Sequence, residues 1–208
     1  MTDLTPDDLK DRAYAAFDAG ELSDASLHFA ALLERHPGSH NFHYMRGLIH
    51  KYLRDWPVSL QHNLRAIETS NEQDQASLWN AGIAATAMGD WVTARAQWRA
   101  CGIAIPDGEG PVETDFGVVA VRLNPWSAGE TLFARRIDVV RARLLNVPLP
   151  ESGYRFGDIV LHDGASTGQR EIDGGTVPVF NVLQRLIPSD FRTHTVFVGC
   201  DDTADTQI

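Results

Sequence analysis

Hydrophobic and small residues in the first half of the chain recur with helical spacing, and the pattern copies itself. Gly20, Ala25, Phe29 and Pro37 return 69 positions later as Gly89, Ala94, Trp98 and Pro106. Leu22, Trp56 and Trp91 fill the interval at steps of 34 and 35, and Gly47/Gly82 and Asp55/Asp90 keep the same step. A unit of about 34 residues, in three copies over roughly residues 5–106, predicts pairs of antiparallel helices joined by tight turns. Such helices approach closely only where a small side chain faces the partner, a role open to Gly47 and Gly82 in first helices and Ala25 and Ala94 in second ones. Gly20 and Gly89 suit a left-handed turn residue, and Pro37 and Pro106 are expected to stop the second helices, because proline lacks an amide donor.

On these residues the chain resembles the tetratricopeptide repeat (TPR) family over about half its length. The third repeat is the fullest, with Leu78, Gly82, Ala84, Gly89, Asp90, Trp91, Ala94, Trp98 and Pro106 in the family's slots. The second departs: Arg54 replaces the turn glycine, Ser59 the alanine, Asn63 the aromatic and Asn71 the proline, while His43, Arg46 and His50 occupy positions that are usually apolar. The resemblance implies that first helices line a concave groove carrying Lys10, Tyr14, Phe17, Asn41, Tyr44, Leu48, Lys51, Tyr52, Trp79 and Ile83. Aromatic side chains anchor interfaces at low entropic cost, so the implied ligand is a protein or peptide; the alternative is a groove filled by the chain's own second domain or N-terminal arm. One family subtype clamps a terminal carboxylate. Here Lys10 alone fits that clamp, with Tyr14, Met45, Ala76 and Asn80 in the other slots, which argues against a chaperone-tail receptor.

Past Pro106 the texture changes. Asp107-Gly108-Glu109-Gly110-Pro111 reads as a linker, followed by a β-rich domain over 112–200 and an acidic tail over 201–208. Strands are expected at 118–123, 131–137, 155–162, 169–172, 177–180 and 191–199, with Asp173-Gly174-Gly175 as the clearest hairpin turn. Residues 138–146 fit either strand or helix, and 181–186 suggests one short helix capped by Asn181 and stopped by Pro188. The expected fold is therefore α+β: an N-terminal all-α solenoid of three helical hairpins (1–106), then a small β-rich domain with one short helix. A solenoid leaves an apolar flank on its last repeat, so the β-rich domain is expected to dock there as a cap.

Composition and charge narrow the function. The chain has 208 residues, 43% hydrophobic and 22% charged, with a net charge of −10. That charge argues against nucleic-acid binding and suits a basic protein partner. No apolar run approaches the roughly 20 residues needed to cross a bilayer, and Met1-Thr2-Asp3-Leu4 is not a basic-then-apolar leader, so a cytoplasmic protein is expected. Cys101 and Cys200 lack C-x-x-C spacing, and Cys101 reads as a packing thiol.

Of eight histidines, His36, His40, His43, His50 and His62 cluster around the second repeat. Their spacing offers no converging set of three or four ligands, so hydrogen-bonded histidines are expected rather than a metal site. Arg135, Arg136, Arg141 and Arg143 form the only dense basic stretch. Alternation of Arg141 and Arg143 with Val140, Ala142 and Leu144 reads as a half-solvated strand, or else as an arginine patch for an acidic partner or an anionic ligand. His162, Asp163, Ser166, Asp158 and Cys200 supply residue types for acid–base work, but no spacing joins them and no nucleotide-binding or zinc-protease motif is present. The sequence thus reads as a non-catalytic protein-binding module with no call for a cofactor or metal. Its sharper form is a bacterial immunity or antitoxin-like protein holding a basic toxin domain. One alternative is a TPR adaptor or assembly factor that recognises a peptide segment in its groove. The other is an enzyme or ligand sensor with its site around His162 and Asp163.

Overall fold

The computed structural model describes residues 5–194 and 196; Cys200, the tail 201–208 and most of the last expected strand lie outside the described residues. Six helices come first: α1 (Pro6–Asp18), α2 (Leu22–Arg35), α3 (His40–Tyr52), α4 (Trp56–Thr69), α5 (Gln75–Met88) and α6 (Trp91–Ala100). Local chemistry sets their ends. Thr5 and Asp8 form a reciprocal capping box at α1, and the Asp74 and Asp90 carboxylates accept from backbone amides at the starts of α5 and α6. Gly20 and Gly89 take left-handed backbone at the first and third hairpin turns, and Arg54 takes the same conformation at the second, with φ 59°. Pro37 follows α2 directly. Pro106 does not stop α6, which ends at Ala100 with left-handed Gly102 just beyond its cap, so the expected role of that proline is corrected.

The repeated small residues and the repeated aromatic slot turn out to meet each other. A Cβ on Gly82 would lie 2.5 Å from Trp98 Cη2, so the Trp98 indole rests on bare backbone. In the second repeat Asn63 fills the same slot, and a Cβ on Gly47 would lie 2.5 Å from its Nδ2. Asn63 Nδ2 donates to the Ser59 carbonyl at 2.8 Å, and Ser59 Oγ donates to the Gly47 carbonyl at 2.8 Å. The departures in repeat two therefore keep the close helix approach and replace apolar contact by buried hydrogen bonds.

Five strands follow: β1 (Val118–Leu123), β2 (Glu130–Arg136), β3 (Arg141–Leu144), β4 (Ile159–Ile172) and β5 (Gly175–Ile187). They close into a barrel in sequence order, all neighbours antiparallel except β1 against β5, which run parallel. Val119, Val121, Leu123, Leu132, Ala142, Leu144, Val160 and Val182 fill the interior. Asp173 and Gly174, both at positive φ, turn β4 into β5 as expected of that hairpin. Strands expected at 155–162 and 169–172 belong to the single strand β4, and the ambiguous 138–146 contains β3. Residues 191–194 form no strand. The expected helix over 181–186 is instead the end of β5. Its adjacent apolar pair mimics helical spacing because the strand is buried on both faces: Val182 points into the barrel and Leu183 toward the helices. The one short helical turn in this half is a 3-10 turn at Pro150–Ser152.

A second core lies between helices and barrel, where Ile83, Ala84, Ala94 and Trp98 pack with Val139, Val140, Leu161 and Leu183. The barrel thus covers the third repeat and reaches back to the second, where Trp56 Nε1 donates to Gln184 Oε1 at 2.7 Å. The connecting segment is held by Arg95, whose guanidinium donates to the carbonyls of Pro106, Gly110 and Pro111. Among the described residues no helix is long and apolar enough to cross a membrane.

Candidate binding cleft

The site is positioned by a break in the regular pairing of β4. His162 faces Val182 and Ser166 faces Phe180, so Asp163, Gly164 and Ala165 stand opposite Asn181 alone. Such a bulge bends its strand and redirects side chains. Here it brings β4 against α3 and α5, at Lys51 and Trp79. Gly164 meets the Trp79 ring so closely that a Cβ there would lie 2.7 Å from Cε3. Beside it the Asp163 carboxylate receives Lys51 Nζ at 3.1 Å to each oxygen and the Gly164 amide at 2.8 Å. Lys51 is only 3% exposed, and burial pulls its pKa below the usual lysine value while the Asp163 charge opposes the shift. The cost of burying the ammonium is offset only in this geometry, so the pair fixes how the barrel sits against α3.

On either side of the bulge the cleft stays open. One cavity of about 480 Å³ lies over Tyr44, Leu48, Tyr52, Trp79, Asn80 and Ile83, walled by Asp163, Gly164 and Ala165. An adjoining cavity of about 570 Å³ shares Tyr52, Asp163 and Ala165 and continues over Phe17, Leu22, Thr167 and Trp126. Trp126, from the β1–β2 loop, is 59% exposed and stands edge-on to Tyr52 at 6.1 Å between ring centroids. Burial, with Asp163 and Tyr44 adding, pushes the Tyr52 phenol up to about 12, and burial with Asp74 and Asp163 raises Tyr44. Both phenols therefore remain hydrogen-bond donors at neutral pH.

The residues expected on a concave groove divide in three. Tyr44, Leu48, Lys51, Tyr52, Trp79, Ile83 and Phe17 come together around this cleft. Within that set Lys51 is spent on Asp163 and Ile83 is in the core, so neither offers a free side chain to a partner, which corrects the expectation for both. Lys10, Tyr14 and Asn41 lie elsewhere: Lys10 lines a shallow hollow with Pro6, Asp7 and Phe42, Tyr14 packs edge-on to Phe29 at 5.2 Å, and Asn41 is exposed. Sequence reasoning missed Trp126, Gly164 and Ala165, and it singled out Asp163 only for a site of its own with His162, not as a wall facing the repeats. The available signal was a tryptophan in a turn, Asn124-Pro125-Trp126-Ser127, where an apolar core gives no reason for one.

The arginine stretch is corrected as a single patch. Arg135 is exposed and paired with Asp115, and Arg143 is exposed. Arg136 is half-buried against the Phe116 ring. Arg141 is 4% exposed: it pairs with Asp138, donates to the Val112 carbonyl at 2.8 Å and lies over the Trp91 ring at 4.7 Å. The alternation was real, but the outward side of β3 at Arg141 is covered by the helices rather than by water.

The histidines knit repeat two together. Pro37 offers only a carbonyl to His43 Nε2 at 3.0 Å, which places a proton on Nε2, and His43 Nδ1 shares a 2.9 Å hydrogen bond with His62 Nδ1. His50 Nδ1 donates to Asp55 at 3.0 Å, and Ser26 Oγ donates to His50 Nε2 at 2.8 Å. Burial lowers His62 to about 4, with Arg46 and the neighbouring histidines adding. Among the described residues no group of three or more His, Cys, Asp or Glu side chains is placed to hold a metal ion.

Of the residue types for acid–base work, Cys200 lies outside the described residues and the others are engaged in separate hydrogen bonds. His162, 1% exposed, donates from Nδ1 to the Asp163 carbonyl at 2.7 Å and stacks on Phe180. Ser166 Oγ donates to the Gly168 carbonyl, and Asp158 accepts from the Arg155 and Ser189 amides. Cys101 is half-buried at the end of α6, and burial pushes its thiol up to about 11.

No family model matches this chain. No curated protein matches it. Among solved structures, 45 chains are similar to it. One is the TPR2B-domain:pHsp70 complex of yeast Sti1, at 14% identity and a TM-score of 0.42, covering 46% of this chain and 76% of that one. The likeness is to TPR-like helical repeats.

Proposed function

We propose that this chain is a non-catalytic protein-binding module whose partner enters the cleft between the helical repeats and the barrel. The observation that carries this reading is the open cleft itself. Tyr44, Leu48, Tyr52 and Trp126 present apolar and aromatic surface to solvent where the two packed units leave space between them. Large rings held by a rigid scaffold bind with little entropy to lose.

The sharper form is an immunity or antitoxin-like protein that occludes a basic toxin domain. A net charge of −10 on 208 residues supports it, because an acidic surface accelerates encounter with a basic partner and disfavours acidic ones. The adaptor form, recognition of a short peptide, uses the same cleft but needs no extended contact outside it.

Titration calorimetry with the purified product of the adjacent gene tests the proposal. Tyr44→Ala combined with Leu48→Ala is expected to weaken a one-to-one complex at least ten-fold, measured well below a melting temperature that falls because both side chains also rest on the α1–α3 core. Unchanged affinity in a folded double variant contradicts the cleft as the docking site.

A further inference from the structure

Building on the cleft as the docking site, we infer that the group it takes is a cationic side chain, an arginine or lysine of the partner, laid against the Tyr52–Trp126 ring pair. Three observations lead there. The first is the charge inventory. Of the residues lining the two joined cavities Lys51 is the only cation, and both oxygens of Asp163 already hold it. An anionic ligand would enter and find no free cation.

The second observation is the ring geometry. Tyr52 and Trp126 stand edge to face, one at the end of α3 and the other on the β1–β2 loop, with most of the indole in solvent. A pair of rings meeting at a corner offers a cation one electron-rich face and one wall, the arrangement that aromatic cages use. Among the described residues, neither the barrel core nor the interface core includes Trp126.

The third is how this molecule treats its other rings. Arg141 lies over Trp91, Arg170 over Phe133, Arg185 over Tyr154 and Arg136 over Phe116, each within 5.5 Å of a ring centroid. Lys51 already lies over the Tyr52 ring at 4.7 Å from inside the protein. The Trp126 face carries no such cation among the described residues. The net charge of −10 draws a basic segment toward the molecule, and the ring pair gives it a place to stop.

The test uses the full chain and three fluorescein-labelled nonapeptides of one design: alternating arginine and threonine, the same with citrulline for arginine, and the same with glutamate. Citrulline keeps the planar shape and most donors but not the charge. In 0.15 M salt the arginine peptide is expected to bind saturably, the citrulline peptide at least ten-fold more weakly and the glutamate peptide not at all. Because any acidic protein attracts basic peptides, the deciding measurement is Trp126→Ala, expected to weaken the arginine peptide at least five-fold. Val147→Ala, on an exposed loop outside the cleft, is expected to leave binding unchanged. Equal binding of the citrulline peptide, or indifference to Trp126→Ala in a variant that melts normally, overturns the inference. If the arginine peptide fails while the adjacent-gene product still depends on Tyr44 and Leu48, this inference falls and the docking site stands.

Discussion

At the scale of single residues the energetics are decided by buried groups that water would otherwise hold. His162 and His62 are both lowered to about 4, the first by complete burial and the second by burial with nearby cationic and histidine groups. Each is neutral in the folded protein and titrates near 6.5 when unfolded, so its contribution to stability is complete above about pH 6.5 and lost as the pH falls toward 4. By pH 5, His162 alone should have withdrawn about 2 kcal/mol, and His62, less enclosed, somewhat less. Urea unfolding at pH 7.5, 6.0 and 5.0 checks this, since that window opens above the range where ordinary carboxylates titrate. Stability that stays flat from pH 7.5 to 5.0 contradicts the burial account. None of this was legible in the sequence. His43, Arg46 and His50 read as polar intruders at apolar positions, and the hydrogen-bond partners of the two histidines, Pro37, His62, Asp55 and Ser26, come from neighbouring turns and helices that spacing alone does not align.

Helices were legible through repetition rather than through one buried face, since α5 is buried nearly all round. The 34-residue echo predicted all six, the second and third hairpins repeat the same small-residue contact, and the Gly82–Trp98 approach shows why the echo exists at all. Adding a methyl at Gly82 drives it into the indole. Gly82→Ala should therefore cost about 1–3 kcal/mol despite alanine's better helix propensity, measured by urea unfolding at pH 7.5. A neutral or stabilising result would mean that Trp98 can move away freely. Strands were legible at β1, a short apolar run, at β2, where buried and less buried positions alternate, and at 177–180 in the first half of β5, and illegible at the end of β5. There barrel and helices bury consecutive residues from opposite sides, and the period of two vanishes. The same two-sided burial hid Arg141, whose alternation is that of a surface strand although α6 covers it through Trp91.

For the whole molecule, two units that are separately ordinary form a site only by their contact. Half of the cleft came from the repeat pattern: Tyr44, Leu48, Tyr52 and Trp79 are where first helices should place them. The other wall depends on where β4 bulges and on which barrel loop overhangs Tyr52, which are matters of register that no local pattern records. The Lys51–Asp163 pair joins positions 112 residues apart and holds the two walls in register. The most direct measurement of the central claim is hydrogen–deuterium exchange on the full chain, alone and with the adjacent-gene product bound. Slowed exchange is expected in the last turn of α3, the Trp126 loop and residues 163–167, with little change on the outer barrel face around Arg135 and Arg143. Protection confined to that outer face, with the cleft segments exchanging as in the free protein, would contradict the account.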